Sequence, residues 1–253
     1  LPPYFNRMIS DAESVTYEDL ASFPAGGDAV VIGATGGLGT AVATHLLRSD
    51  TFNAVHRFAR GTSRPLDLGE EASIAAAAQW LKDSGRDLRL VVDCTGFLHG
   101  RGFMPEKSWR QIDPAHMAHA FAVNAIGPAL LMKHFLPLLP REGKSVFATL
   151  SAKVGSIADN SYGGWYSYRA SKAALNQLVH TAAIELTRKR REAICVALHP
   201  GTVATDLSEP FSKDGLTVRQ PDAAAARLLR VIDGLTPEQT GGFFSHDGMP
   251  LPW

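Results

Sequence analysis

One stretch near the N-terminus constrains the fold more than any other. The apolar run Ala29–Ile32 passes directly into Gly33-Ala34-Thr35-Gly36-Gly37-Leu38-Gly39, and an amphipathic helical pattern follows at once. A short apolar run that ends on glycine reads as a buried strand. Leu38, Val42, His45 and Leu46 then share one helical face. Gly33, Gly37 and Gly39 let the chain turn sharply and let a phosphate reach the amides of the helix's first turn, where the dipole favours an anion. A glycine cluster alone also suits an ordinary strand-to-helix turn. Its place between the first strand and an amphipathic helix favours a dinucleotide pyrophosphate.

The same alternation continues to the C-terminus. Ala54–Phe58, Leu88–Asp93, Ser145–Leu150, Ala193–His199 and Gly242–Ser245 read as further strands, and Leu38–Arg48, Ser73–Lys82, Pro114–Leu136, Tyr166–Lys189 and Asp222–Ile232 as helices. Repeated βα units with right-handed crossovers give an α/β architecture, a doubly wound Rossmann domain whose mainly parallel sheet carries helices on both faces. The nearly uninterrupted apolar strands suit a sheet buried on both sides. A chain of 253 residues can make one such unit, here expected over residues 28–253 after an N-terminal extension, 1–27. Two long irregular stretches, Gly96–Pro114 and Thr202–Gln220, follow strands and so overhang the carboxyl edge of the sheet, where open α/β folds bind ligands.

Composition narrows the function classes. Hydrophobic residues make up 45% and charged residues 20%, which excludes a disordered or fibrous chain. Basic and acidic residues each total 25, so no global field draws the protein to nucleic acid or an anionic membrane. Two cysteines, Cys94 and Cys195, lie in apolar runs without CxxC spacing, which argues against a disulfide framework or a cysteine zinc site and for a reducing, cytoplasmic setting. No signal-peptide core or membrane-spanning run is expected.

Chemistry is concentrated in Tyr168-Arg169-Ala170-Ser171-Lys172. Spacing of four puts Tyr168 and Lys172 on one helical face, a turn apart. An ammonium there, with an oxidised nicotinamide, is expected to draw the phenol below its ordinary value near 10 and fit it for proton transfer. Tyr162 and Tyr166 have no lysine four residues on. Ser151 stands at the carboxyl end of a strand, where a hydroxyl can bond a substrate oxygen, and Ser156 is its rival. Asn124 interrupts an apolar helical stretch and must find buried partners. At the end of the second strand no acid stands ready for a ribose hydroxyl; Arg60 can pair with a 2′-phosphate, with help from Arg57 or Arg64, so NADP(H) is expected over NAD(H).

Other clusters read more plainly. His116-x-x-His119 lacks the glutamate and third ligand of a zinc protease and reads as solvated helix histidines, so no metal is expected. Arg188-Lys189-Arg190-Arg191 ends a long helix, where cations offset the dipole. Phe243, Phe244 and Trp253 read as packing residues.

Taken together, these residues resemble the short-chain dehydrogenase/reductase family, over roughly Asp28 to the C-terminus, and most closely its carbonyl-reductase-like and C-factor-like members. Gly33-x-x-x-Gly37-x-Gly39 matches the family's cofactor turn, with Ile32 where threonine is common. Asp93-Cys94-Thr95-Gly96 replaces the usual Asn-Asn-Ala-Gly and keeps only the glycine. Asn124, Ser151, Tyr168 and Lys172 fall in the order of the catalytic tetrad, although Ser151 and Tyr168 are further apart than in many members. His199-Pro200-Gly201-Thr202 matches the turn beside the nicotinamide.

The resemblance implies an oxidoreductase that interconverts a carbonyl and an alcohol. Tyr168 would exchange the proton, Lys172 would hold the ribose, Ser151 would steady the oxyanion, and Asn124 would anchor a water. It further implies cofactor contacts from Gly33, Thr35, Gly37, Leu38, Gly39, Asp67, Leu68, Thr95, Gly96, Pro200, Gly201, Val203 and Thr205. The substrate is expected to be a small apolar carbonyl or alcohol, held by Phe97–Phe103, Ser156–Trp165 and Leu207–Leu216. A homo-oligomer, dimer or tetramer, is compatible with the family. A nucleotide-binding sensor with little turnover is the rival reading.

Overall fold

The computed structural model describes residues 20–211 and 217–253. Six parallel strands form the central sheet: β1 (Asp28–Ile32), β2 (Ala54–Phe58), β3 (Leu88–Asp93), β4 (Ser145–Leu150), β5 (Ala193–His199) and, last in the chain, Phe243–Ser245. A short parallel pair, β6 (Thr202–Val203) with β7 (Val218–Arg219), precedes that last strand, which is therefore β8. Spatial order in the sheet is β2-β1-β3-β4-β5-β8. The chain leaves β1 for β2 on one side, then crosses back to place β3 on the other. That reversal opens the crevice at the carboxyl ends of β1 and β3.

Alternation along each strand divides the apolar residues between two cores. Ala29 and Val31 of β1 face a layer built by α1 (Gly37–Arg48) and α6 (Pro221–Gly234), with Val42, Leu46, Leu228 and Ile232 in its interior. Val30 and Ile32 face the opposite layer, where α2 (Glu71–Asp83), α4 (Gly127–Phe135) and α5 (Tyr166–Thr187) contribute Ile74, Leu131, Phe135, Leu175 and Val179. A helix on either face of a parallel sheet is the doubly wound arrangement that the apolar strands imply.

Several expected boundaries change. The single helix expected over Pro114–Leu136 is three pieces: α3 (Pro114–Phe121), a π-helical stretch at Ala122–Ile126, and α4. Asp113 caps α3 by accepting from the amides of Ala115 and His116 at 2.7 and 3.0 Å. The π stretch contains Asn124, and a bulge of this kind commonly serves a site. Continued through Leu138, this run is the one stretch among the described residues long and apolar enough to cross a membrane, against the expectation of none. In the fold its inner side packs into the second core through Leu131, Met132 and Phe135. The stretch Thr202–Gln220 is closed on itself by the β6–β7 pair rather than irregular throughout.

Candidate active site

Three successive residues at the end of β4 are fastened to three positions on α5. Lys172 Nζ donates to the Leu150 carbonyl at 2.8 Å. Ser151 Oγ donates to Asn176 Oδ1 at 2.6 Å. Ala152 packs with Tyr168 in a small apolar cluster of its own. Tyr168, Lys172 and Asn176 succeed one another at intervals of four, so a single helical face carries all three to the carboxyl edge of the sheet.

Asn124 joins from the other side. Its side chain accepts from the Phe97 amide and donates to the Phe97 carbonyl, both at 2.7 Å, and Nδ2 also reaches Ser171 Oγ at 3.1 Å. The asparagine is fully buried and satisfied, and it ties the loop after β3 to the π bulge and to α5. A Cβ on Gly96 would lie 3.7 Å from Lys172 Nζ and 3.8 Å from Asn124 Oδ1, so the loop, lysine and asparagine meet at one point. The four catalytic residues expected from sequence are thus gathered around the ends of β3 and β4. Ser156, the rival serine, accepts from the Asp159 amide and donates to the Trp253 carbonyl, which gives it a loop-fastening role instead.

The phenol does not start acidic. Burial pushes Tyr168 up to about 12, the reverse of the expected direction. Lys172 Nζ lies 6.0 Å from the ring centroid and spends a proton on the Leu150 carbonyl, while Trp165, Leu98, Leu207 and Phe211 strip water from the ring. In this environment desolvation exceeds the pull of the ammonium. Burial also brings Lys172 down to about 8, partly offset by the Asp93 carboxylate. Asp93, fully buried, is itself pushed upward by desolvation although Thr95 and Thr149 hydroxyls donate to it at 2.6 and 2.7 Å. The tyrosine hydroxyl makes no hydrogen bond among the described residues and is free to meet a substrate oxygen.

The glycine turn is closed by contact. Gly33 adopts φ +74°, a left-handed value suited to glycine, and a Cβ on Gly39 would fall 2.2 Å from the Gly33 carbonyl. Thr35, Gly36 and Gly37 form the exposed rim of the turn, with Leu38 buried beneath. Gly33 lies against Cys94 and Thr95, and Gly37 against Thr205, so the turn after β5 reaches the turn after β1. Val203 is buried, while Pro200 and Gly201 lie partly exposed beside it. A Cβ on Gly201 would approach His246 and Arg219, which border this turn. Leu68 packs over Gly127 at the end of the π bulge, and Asp67 Oδ1 accepts from the Gly69 amide at 2.9 Å.

The arginines separate. Arg60 is exposed and makes no hydrogen bond or ion pair among the described residues. Arg57 donates to the Ala34 carbonyl at 3.3 Å, which brings its guanidinium to the glycine turn. Arg64 instead stacks on the Trp80 ring at 3.9 Å, a cation–π contact that the other two do not make among the described residues.

The expected substrate wall is assembled unevenly. Trp165 meets Tyr168 at 6.1 Å and Phe211 at 5.2 Å, both edge-on, and Phe211 meets His99 at 5.3 Å. Ile157 and Tyr162, by contrast, are turned outward, and residues 212–216 lie outside the described residues. His116 is not solvated as expected. It is buried against Phe103 and pairs with Glu106 at 3.3 Å. Burial likewise lowers His119, which packs on Phe97. Arg190, in the basic run after α5, donates to the carbonyls of Leu139 and Pro137. Sequence reasoning missed Glu106, Asn176 and the role of Asp93. Only Asn176 left a signal, its interval of four from Lys172.

Comparison with known proteins settles the kinship. A family model described as enoyl-(acyl carrier protein) reductase matches residues 34–236. A dehydrogenase of 1-hydroxy-2-glutathionyl-2-methyl-3-butene from Rhodococcus sp. (strain AD45) is 35% identical over 188 residues, 74% of this chain and 78% of that protein. The chain belongs to the short-chain dehydrogenase/reductase family. Among other members of this family, C-signal of Myxococcus xanthus is 40% identical over 142 residues, 56% of this chain and 81% of its own. The NADPH-bound carbonyl reductase from chicken fatty liver superposes with a TM-score of 0.80 at 25% identity, covering 90% of this chain and 95% of that one. As a short-chain dehydrogenase/reductase, the protein is an oxidoreductase by family.

Proposed function

We propose that this protein is an NADP(H)-dependent reductase of small apolar carbonyl compounds, acting through Asn124, Ser151, Tyr168 and Lys172. One observation carries the reading: the phenol of Tyr168 stands at the sheet's carboxyl edge, one turn from a buried lysine, with its hydroxyl free of internal partners. A phenol held near 12 is protonated at neutral pH and suited to give its proton to a carbonyl oxygen as that oxygen gains charge. Lys172, at about 8, remains mainly an ammonium there. Ser151 supplies a hydroxyl for the same oxygen.

The residues fit the coenzyme. The close Gly33–Gly39 approach leaves backbone where a pyrophosphate needs it, and Lys172 is held where a ribose could share its protons. Exposed Arg60, with Arg57 beside the glycine turn, matches a 2′-phosphate. When bound, NADPH supplies the hydride. Leu98, Trp165, Leu207 and Phe211 favour an apolar substrate by excluding water around the phenol. The reading includes one catalytic unit at 28–253, a cytoplasmic setting in which Cys94 and Cys195 stay free thiols, and pairing of copies into a homo-oligomer. A sensor would have no use for a proton-donating phenol, and this favours turnover.

The test is NADPH oxidation with a panel of aromatic aldehydes and diketones. Tyr168→Phe is expected to lower kcat at least a thousandfold while leaving the NADPH dissociation constant within about twofold. Undiminished reduction by that variant would overturn the assignment.

A further inference from the structure

Ser151 does not meet Tyr168 directly among the described contacts; its hydroxyl is engaged with Asn176. Both side chains are buried, Ser151 4% and Asn176 3% exposed. In the observed orientation Ser151 gives its only proton to Asn176 Oδ1, and a hydroxyl so committed cannot donate to a carbonyl. The same amide leaves Nδ2 buried without any partner. An orphaned buried N–H donor is costlier than an under-used carbonyl oxygen, which has a second lone pair to spare. Half a turn of the amide exchanges the two ends and keeps the side chain's shape. Nδ2 would then donate to Ser151 Oγ, and the serine's proton would be released toward the cleft.

We propose that Asn176 is a positioning residue for Ser151: its amide holds the serine oxygen and directs the hydroxyl proton to the substrate carbonyl. This rests on the reductase reading above and adds to it a residue that touches neither substrate nor coenzyme. The geometry requires that placement. Asn176 stands one turn beyond Lys172 on the face that carries Tyr168, and the end of β4 sets the Ser151 hydroxyl against it. An asparagine suits the position because it can donate as well as accept. An aspartate could only accept, and would capture the serine's proton.

The experiment is a double-mutant cycle on the full chain with NADPH and benzaldehyde or benzil, joined to NADPH binding by fluorescence and thermal unfolding. Asn176→Leu and Asn176→Asp are each expected to lower kcat roughly ten- to a hundredfold, with KM and NADPH affinity changed little. In the Ser151→Ala background the same substitutions should cost less than twofold, because the group they position is gone. Should the leucine variant fail to fold, the aspartate variant alone decides, since it preserves shape. Equal losses in both backgrounds, or full activity of the aspartate variant, overturn the proposal while leaving the reductase reading intact. A wild type that reduces none of the panel, or a Ser151→Ala variant with unchanged kcat, overturns the reading on which it rests.

Discussion

At the residue scale, environment and not identity decides what each group does. Three arginines follow one another near the end of β2, yet Arg64 is spent on Trp80, Arg57 leans on the Ala34 carbonyl, and Arg60 alone remains exposed without an internal partner. A phosphate pairs most strongly with a guanidinium that has no competing bond to break. Arg60→Ala is therefore expected to weaken NADPH at least tenfold and NADH less than twofold, with Arg64→Ala neutral toward both, as measured by fluorescence titration. Equal losses for the two coenzymes would remove the phosphate contact. The phenol teaches the same lesson in the opposite sense. From the spacing of Tyr168 and Lys172 an acidified tyrosine is expected, whereas burial raises it. A sequence records that two residues are neighbours on a helix but not how much water surrounds them.

At the element scale, α5 is the part that must be held still, and its capping comes from elsewhere in the chain. Trp165, at its N-terminus, adopts φ +51°, strained for so large a residue, and supplies no side-chain cap. Glu106, from the loop after β3, replaces that cap. Its carbonyl accepts from the Trp165 amide, and its carboxylate accepts from the Ser167 amide at 3.2 Å and from the Ser167 hydroxyl. The positive end of the helix dipole favours the carboxylate there, and His116 lies against it. Because Glu106 is 2% exposed, its removal strands buried donors. Glu106→Ala should destabilise the fold by about 3 kcal/mol in urea unfolding, and Glu106→Gln by less than half of that. A loss below 0.5 kcal/mol for the alanine variant would be incompatible with a buried trans cap. Gly39→Ala belongs to this scale too: a Cβ 2.2 Å from a backbone oxygen cannot be accommodated without opening the turn. That variant should lose NADPH binding, and full retention would refute the closeness of the turn.

At the scale of the whole molecule, buried cations tie stability to pH. Lys172 and Lys144 both fall to about 8 on folding, from an ordinary 10.5, with desolvation as the leading cause. Between about 8 and 10.5 the unfolded chain binds more protons than the native one, so each lysine makes stability rise with pH across that window. Tyr168, raised to about 12, acts in reverse above 10. The thiols of Cys94 and Cys195, both pushed up from an ordinary 9.0 by burial, also act in reverse above about 9. Stability measured by urea unfolding should thus climb from pH 8 toward 9 and level off beyond it, and Lys172→Met should flatten the climb while leaving the contribution of Lys144. A slope unchanged by that substitution would mean that Lys172 is better hydrated than its surroundings indicate.

What the sequence by itself determined is the framework. The six sheet strands, the parallel order implied by βα repeats, and the placement of Gly33, Ser151, Tyr168 and Lys172 at strand ends and helix starts all follow from local periodicity, which the chain carries wherever it goes. Tertiary structure decided the rest. It broke the expected Pro114–Leu136 helix at the π bulge that seats Asn124 against Phe97, and buried the histidine that reads as solvated. It also brought Glu106 and Asn176 to a helix and a serine distant in sequence. Hydrogen-bond partners and desolvation depend on distances closed only when the layers pack, and no pattern along a chain encodes which buried donor will find which acceptor.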